Sequence, residues 1–286
     1  MGIELPIEWR EVAQEILKDP GKVILLGEAD TGKTTFCLHL VNLAFKRGLR
    51  AGVFDLDLGQ SHIGPPTTIG MGPLENPIED IGEINPFARY FVGALSPGSE
   101  PLRMIQGVER LLLRRPDLPS FDLLLIDTSG YVHGPQALSL KWKKFCVIQP
   151  DHFIFLERQD ELEGLKRLSE REKGRKHRLQ VPVEIRRKSP DARRSYRMEA
   201  WRRTFQHAST LQIPKNSSQL TMNRGTLVGL MGPGDSFLDL GLIEETKGEE
   251  VAVYTPYPRA GGIEEIILGR TNEPATALGW TSNMVK

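Results

Sequence analysis

The strongest signal in the chain is GEADTGKT, residues Gly27–Thr34. It follows the apolar run Val23–Leu26, typical of a buried strand, and leads into Lys33–Arg47, which reads as a helix ended by Gly48. A G-x-x-x-x-G-K-[ST] turn between strand and helix is a phosphate-binding loop, or P-loop. Its glycines let backbone N–H groups curl around phosphate oxygens, and the helix directs its positive end at the anion.

Two side chains of this loop carry the expected chemistry. Lys33 reaches the β- and γ-phosphates of a nucleotide, and the Thr34 hydroxyl serves Mg²⁺. We therefore expect a nucleoside triphosphate, ATP or GTP, with Mg²⁺. The residues predicted to contact the nucleotide are Gly27, Asp30, Thr31, Gly32, Lys33, Thr34 and Thr35.

Alternating strands and helices predict an α/β fold, a P-loop NTPase domain with a mostly parallel sheet over residues 1–210. Residues 63–101, rich in Gly and Pro, read as long functional loops. After Leu211, short Val-, Leu- and Gly-rich runs predict a small antiparallel β domain over 211–286, with no clear pattern after Glu273. Further strands of the first domain are predicted at Arg50–Phe54, Asp122–Ile126, His152–Leu156 and Val181–Ile185.

The amino-acid composition excludes several classes of protein. The chain has 286 residues, of which 39% are hydrophobic and 26% charged, a balance that excludes wholesale disorder. Its two cysteines are too few for a disulfide framework and suit a reducing compartment. Because no run approaches 18 apolar residues and the N-terminus lacks a signal-peptide pattern, we expect a soluble cytoplasmic protein with no membrane partner.

Charge is unevenly distributed along the chain. Lys plus Arg and Asp plus Glu both number 37, yet Lys141–Arg203 holds 19 basic and 10 acidic residues. This basic block indicates a polyanionic partner such as nucleic acid. The alternative is an ordinary solvated helical face.

Three carboxylates close predicted strands. Asp127 follows a buried strand, where ligands bind in open α/β sheets, and is expected to help hold Mg²⁺. The alternative is that it caps the next turn. Asp55 and Asp57, two residues apart, are expected to face the same side. One of them accepts a proton from an attacking hydroxyl, with Asp57 the favoured base, or both organise Mg²⁺ only.

A basic helix is predicted from about Pro190 to His207, with Ser189-Pro190 at its start. Arg193 and Arg197 are four residues apart and therefore share one face. Such a pair can swing over bound phosphates as a lid and neutralise transition-state charge. Solvated surface is again the alternative.

Four further motifs, with the P-loop, carry a resemblance to a known family. They are DLDLGQ at 55–60, SHIGPPTTIG at 61–70, DTSGYVHGPQAL at 127–138 and the Arg-x-x-x-Arg helix. Together they resemble the polynucleotide 5′-hydroxyl kinases of RNA processing, which include the kinase subunit of the pre-mRNA cleavage complex, the ribosomal-RNA-processing kinases and archaeal relatives. The resemblance runs from Gly27 to about His207 and more loosely beyond.

This resemblance implies transfer of the γ-phosphoryl group of ATP or GTP to the 5′-hydroxyl end of RNA or DNA. It implies Asp57 as the base and Arg193 and Arg197 as the lid. The predicted metal residues are Thr34, Asp55 and Asp127, and Gln60 and Tyr131 are the residues predicted at the substrate. The competing hypotheses are a nucleotide-dependent switch or assembly ATPase with a protein partner, and a catalytically weak nucleic-acid-binding subunit.

The sequence departs from the family pattern at three places. Tyr131 stands where many members carry a Trp that stacks on a terminal base, although any aromatic ring can do so. Leu95-Ser96-Pro97 replaces a Thr-Ser-Pro loop that clasps phosphate in eukaryotic members. With 26 residues before Gly27, the resemblance is to a short form without the eukaryotic N-terminal β domain, so base recognition is expected to come from elsewhere.

Overall fold

The computed structural model describes residues 5–113, 117–214 and 222–280. The chain divides into two compact units. The first comprises the residues up to Gly64 together with Ile69–Arg89 and Ser96–Lys188, and the second comprises Pro65–Thr68, Tyr90–Leu95 and the residues from Ser189 on. The division after Lys188 differs from the predicted boundary at residue 210, and it assigns the basic helix to the second unit.

The first part of the chain alternates helices and strands around a seven-stranded sheet. In chain order its elements are α1 (Ile7–Ile16), β1 (Lys22–Leu26), α2 (Lys33–Lys46), β2 (Ala51–Leu56), β3 (Thr68–Pro73), β4 (Ala88–Phe91), α3 (Pro101–Leu113), β5 (Leu123–Thr128), α4 (Gly134–Ile148), β6 (His152–Glu157), α5 (Glu163–Ser169) and β7 (Arg175–Gln180). A short 3-10 helix, Ile81–Glu83, precedes β4.

The sheet has the strand order β4-β3-β2-β5-β1-β6-β7. The five strands from β2 to β7 in this order pair in parallel, whereas β3 is antiparallel to β2. This topology confirms the predicted, mostly parallel α/β sheet. Its register places Asp127 opposite both Leu25 and Asp55, so the P-loop strand and two carboxylates end at the same edge of the sheet.

Burial explains why the apolar runs form these strands. Every residue of β2, β5 and β6 is buried, as parallel strands covered on both faces require. Helices α1 and α2 cover one face, where Trp9 meets Phe36 edge to face with ring centroids 5.9 Å apart. Burial of each such large apolar side chain stabilises the fold by roughly 1.5–3 kcal/mol.

Three elements of this part differ from the sequence prediction. The predicted strand Val181–Ile185 is irregular, and the outer strand is β7 instead, where exposed basic residues alternate with buried His177 and Leu179. Residues 63–101 are not all loop, because β3 and β4 lie within them. Glycine and proline are depleted in strands, so TIGMGP carries no strand signal, yet β3 forms by pairing with β2.

The second unit holds the basic helix and an antiparallel sheet. Its elements are α6 (Pro190–Thr204), β8 (Ser209–Pro214), β9 (Leu227–Gly232), β10 (Ser236–Lys247), β11 (Glu250–Thr255), β12 (Glu265–Leu268) and α7 (Glu273–Ala277). The strand order is β12-β9-β10-β11-β8, and every pairing is antiparallel. The predicted antiparallel module is therefore confirmed, and the region after Glu273, which shows no pattern in the sequence, begins with a short helix.

Across the three described ranges, no helix is both long and apolar enough to cross a bilayer.

Candidate active site

The P-loop joins β1 to α2 in a tight curl. Gly32 has a φ of 89° and Asp30 a φ of 59°, both in the left-handed region that favours glycine. At Gly27, a Cβ atom would lie 2.5 Å from the Thr31 hydroxyl and 2.6 Å from the Leu156 carbonyl oxygen. The G-x-x-x-x-G spacing therefore serves a backbone turn into which larger residues would not fit.

Lys33 projects into this curl and is nearly fully buried. Its ammonium donates to the carbonyl oxygens of Gly27 at 3.1 Å and Glu28 at 2.6 Å. Burial lowers the pKa of Lys33, and the charges of Asp127 and Asp57 oppose that effect. The lysine thus lies among carboxylates with its donors directed at the loop that would hold phosphate.

Asp127 and Thr34 are joined at the same edge. The Thr34 hydroxyl donates to Asp127 Oδ2 at 2.7 Å. Asp127 is 5% exposed, and no donor in the described part of the chain reaches its Oδ1. Burial raises the pKa of Asp127, while the Lys33 charge and the Thr34 hydrogen bond lower it. A buried carboxylate oxygen without a partner, beside a hydroxyl, suits a hard cation such as Mg²⁺.

Asp55 holds the loop that follows β2. Its carboxylate accepts four hydrogen bonds, from the backbone N–H groups of Asp57 at 2.9 Å, His62 at 2.6 Å and Ile63 at 3.0 Å, and from the Ser61 hydroxyl at 3.2 Å. Burial raises its pKa to about 6, and the His62 charge opposes this shift. Because loop donors surround this carboxylate, its evident task is to shape residues 57–63.

Asp57 lies beyond the end of β2 and in a different environment. Its Oδ1 accepts from the backbone N–H groups of Gly59 and Gln60, each at 3.0 Å. The two aspartates, which extended geometry predicts to face the same side, therefore have different hydrogen-bond partners. The strand ends at Leu56, and a side-chain-capped turn replaces it.

A cavity of about 830 Å³ opens at this edge, within the size range of small-molecule sites. The predicted residues that line it are Asp30, Thr31, Gly32, Lys33, Thr34, Thr35, Asp57, Gln60 and Asp127. Nucleotide and catalytic candidates from the P-loop, the loop after β2 and the end of β5 are thus brought together. Gly27 forms the base of the P-loop, and Asp55 and Tyr131 are not among the described residues that line the cavity.

Tyr131 packs against a neighbouring turn. It is half-buried, and a Cβ atom added to Gly98 would lie 2.8 Å from its ring and its hydroxyl. Gly98 directly follows Leu95-Ser96-Pro97, one of the places where the sequence departs from the expected family pattern. The sequence suggests an exposed loop here, whereas the structure sets the Tyr131 ring on backbone.

Helix α6 begins where the sequence predicts. The Ser189 hydroxyl accepts the Ala192 N–H at 3.1 Å, and Pro190 occupies the first turn. Arg197 makes a two-pronged ion pair with Glu273, through Nε and one terminal nitrogen, each at 2.8 Å. Arg193 is partly exposed on the same helix. The lid role of both arginines stays a prediction.

Sequence reasoning missed the partners that brace the P-loop. Glu28 pairs with His133 and with Arg187. Arg158 donates to the Asp30 carbonyl oxygen at 3.0 Å, and the Asp30 carboxylate accepts the Lys188 N–H at 3.0 Å. These partners lie 105 to 159 residues further along the chain, so no local pattern indicates them.

Sequence reasoning also missed α4 and the two lysines that it buries. Lys141 donates to the Thr128 hydroxyl at 2.6 Å and the Ser129 carbonyl oxygen at 2.9 Å, and Lys144 lies on the same face. A usable signal exists, because the apolar residues Ala137, Leu140, Phe145 and Ile148 have helical spacing and both lysines fall on their face. Lys141 and Lys144 belong to the basic block but lie in the interior.

A P-loop after an inner strand of a mostly parallel sheet, with a carboxylate at the end of the neighbouring strand, defines the P-loop NTPase class. Residues 27–207 match the family model described as "mRNA cleavage and polyadenylation factor CLP1 P-loop". The chain belongs to this family, which confirms the resemblance seen in its motifs.

Individual proteins agree with this assignment. A polyribonucleotide 5′-hydroxyl-kinase of Pyrococcus horikoshii is 33% identical over 224 residues, which cover 76% of this chain and 59% of that protein. One from Methanocaldococcus jannaschii is 34% identical over 216 residues, 74% of this chain and 58% of that protein. The chain thus spans less than two thirds of the length of these curated relatives.

Among solved structures, Clp1p in complex with Pcf11p shares the fold. The TM-score is 0.69 at 14% sequence identity, and the match covers 92% of this chain and 78% of that one.

Proposed function

We propose that this chain transfers the γ-phosphoryl group of ATP or GTP to the 5′-hydroxyl end of a polynucleotide. The observation that carries the proposal is the convergence of Lys33, Thr34, Asp57 and Asp127 on one cavity. The names of the archaeal relatives support a polynucleotide acceptor and favour RNA over DNA.

The residues at this edge suit a magnesium nucleotide. The Thr34 hydroxyl and Asp127, whose buried Oδ1 accepts from no donor among the described residues, would hold Mg²⁺ directly or through water. Bound there, Mg²⁺ would neutralise charge on the phosphates. The N–H groups of the P-loop and the Lys33 ammonium would bind the phosphate oxygens, and this preorganised positive charge is the main requirement of phosphoryl transfer.

Asp57 is the residue best suited to activate the acceptor. It lines the cavity and is held by two backbone N–H groups, whereas the Asp55 carboxylate is occupied by four donors. As the hydroxyl oxygen bonds to the γ-phosphorus, the bond from that phosphorus to the β–γ bridging oxygen breaks. The hydroxyl proton passes to the Asp57 carboxylate.

Surface charge supports a polynucleotide as the acceptor. Exposed arginines of the basic block, such as Arg186 and Arg187 beside the P-loop, present cations that a phosphate backbone would attract. Lys141 and Lys144 are buried and do not belong to this surface.

The test is label transfer from γ-labelled ATP or GTP to oligonucleotides with a 5′-hydroxyl end, as RNA and as DNA. A 5′-phosphorylated oligonucleotide of the same sequence is the matched control, because it lacks the acceptor group. We expect label on the 5′-hydroxyl RNA and none on the control. Nucleotide hydrolysis without label on any oligonucleotide would overturn the proposal and favour a switch or assembly ATPase.

A further inference from the structure

Helix α4 buries two lysines on the face that it turns to the protein interior. Lys141 is 2% exposed and Lys144 is fully buried. The next lysine, Lys143, is exposed, so the burial of its neighbours follows from the helix face and not from general crowding. Lysine is almost never fully buried unless it is paired, so the burial of both lysines needs a physical explanation.

Hydrogen bonds explain the burial of Lys141. Its ammonium donates to the Thr128 hydroxyl at 2.6 Å and to the Ser129 carbonyl oxygen at 2.9 Å. The Thr128 hydroxyl in turn donates to the Leu25 carbonyl oxygen at 2.7 Å on the P-loop strand. Lys141 thus ties the end of β5, which carries Asp127, to the end of β1, and its hydrogen bonds explain its burial.

Lys144 has no comparable set of bonds. Within the described residues, no acceptor lies within hydrogen-bonding distance of its Nζ. Burial lowers its pKa to about 7, and the charge of Asp57 opposes that shift. An unpaired buried ammonium is costly, and methionine has a similar shape without the charge. For stability alone, the position would be better filled by methionine.

Lys144 lies near the charged groups of the candidate active site. Lys141 lies one helical turn before Lys144 on the same face of α4, and it hydrogen-bonds Thr128 and Ser129, the two residues that follow Asp127. This face therefore lies near the sheet edge that carries the candidate site, where the charge of Asp57 opposes the lowering of the pKa of both lysines. A triphosphate and a polynucleotide would bring further negative charge to the same edge of the sheet, and this charge would favour the protonated form of Lys144. A buried cation is screened little by water, so it acts on that charge at longer range than a surface lysine would.

We propose that Lys144 is a positioning residue for phosphoryl transfer, whose buried positive charge offsets the negative charge that gathers around Asp57 when both substrates bind. Lys144 does not touch the substrates and acts through the electrostatics of the site. The inference rests on the proposed function and adds a residue that no motif in the sequence marks.

The experiment compares Lys144→Met with Lys143→Met in the full chain. Both variants remove one ammonium from α4, but only the first removes a buried one. We expect Lys144→Met to melt at least about 2 °C higher than the wild type, because a buried unpaired charge is gone. We expect its kcat for transfer to fall at least about tenfold, with nucleotide Kd changed less than about twofold. Lys143→Met should match the wild type in melting temperature, in nucleotide Kd and in kcat at saturating oligonucleotide.

The outcomes separate a functional from a structural role. An unchanged kcat in Lys144→Met overturns the inference, and so does a kcat loss accompanied by a lower melting temperature. If Lys144→Met does not fold, Lys144→Gln, which keeps a polar end without the charge, is judged by the same kcat and Kd criteria. Equal transfer by the wild type and the variant defeats this inference alone, whereas absence of transfer by the wild type defeats the proposed function and this inference with it.

Discussion

The cavity edge of the first unit and helix α6 of the second hold their charged residues in different ways. At the cavity edge, Lys33, Asp57 and Asp127 line one space, and their hydrogen-bond partners are backbone groups and the Thr34 hydroxyl. On α6, Arg197 is engaged by Glu273, which lies 76 residues further along the chain. The spacing of sequence motifs predicts both the P-loop and helix α6. It constrains the site more strongly at the P-loop, because there the motif also fixes the backbone conformation.

The largest expected effect is at Lys33. We expect Lys33→Ala to abolish transfer and to weaken triphosphate binding, because the ammonium inside the P-loop is lost. Label transfer and nucleotide binding measured on the same preparation test this. Lys18→Ala, which removes an exposed lysine that is not among the described residues lining the cavity, controls for loss of one positive charge. Full transfer by Lys33→Ala would take the P-loop out of the mechanism.

The next effect distinguishes the two aspartates of the loop after β2. We expect Asp57→Asn to lower kcat by about 10²–10⁴-fold with nucleotide affinity retained, the usual range for a positioned base. Asp55→Asn should instead lower the free energy of unfolding by about 1–3 kcal/mol, because the four donors around Asp55 lose a charged acceptor.

Steady-state kinetics and denaturant unfolding of both variants distinguish these roles. If Asp57→Asn also loses its affinity for the magnesium nucleotide, Asp57 is a metal holder. Asp55 would then become the better candidate for the base.

The sequence prediction is accurate where local residues determine an element, and it is less accurate where partners from other parts of the chain do. The P-loop, its strand and its helix depend on neighbours within about ten residues, and the structure reproduces them. The pairing of β3 with β2 depends on a partner strand and not on composition, so Gly-rich TIGMGP reads as loop. The separate tasks of Asp55 and Asp57 depend on where β2 ends, which strand periodicity alone does not determine.

The next, smaller effect concerns the two arginines of α6. It tests whether this helix takes part in phosphoryl transfer, as the residues at the cavity edge are expected to. The predicted lid role requires Arg193→Ala and Arg197→Ala to lower kcat, by about 10²-fold, more than they weaken ground-state binding. Glu273→Gln is the matched control, because it breaks the ion pair and leaves the arginine in place.

The kcat, the KM and the melting temperature of the three variants distinguish a lid role from a structural role. A lid arginine predicts that Arg197→Ala loses turnover while Glu273→Gln keeps it. If Arg197→Ala and Glu273→Gln lose only stability, and to the same extent, and Arg193→Ala is unchanged, the helix is an ordinary structural surface.

The smallest expected effect concerns Tyr131, which tests the polynucleotide half of the site. Its ring lies against the backbone of Gly98, in the 96–98 turn. If the ring also stacks on a terminal base, Tyr131→Ala should weaken oligonucleotide binding by about 1–3 kcal/mol. Tyr131→Trp should preserve or improve that affinity, because the larger ring offers more stacking surface. Nucleotide binding without oligonucleotide should not change in either variant.

Because Tyr131 packs on Gly98, a loss of oligonucleotide affinity has to be separated from a loss of packing. The informative quantities are the oligonucleotide Kd and KM of the wild type, Tyr131→Ala and Tyr131→Trp, each compared with its melting temperature. Tyr131→Leu fills similar space with an apolar side chain but offers no aromatic face, so it should bind oligonucleotide as weakly as Tyr131→Ala if stacking matters. Wild-type affinity in Tyr131→Leu, or affinity losses that follow the melting temperatures, would show that Tyr131 serves packing against the 96–98 turn and not base recognition.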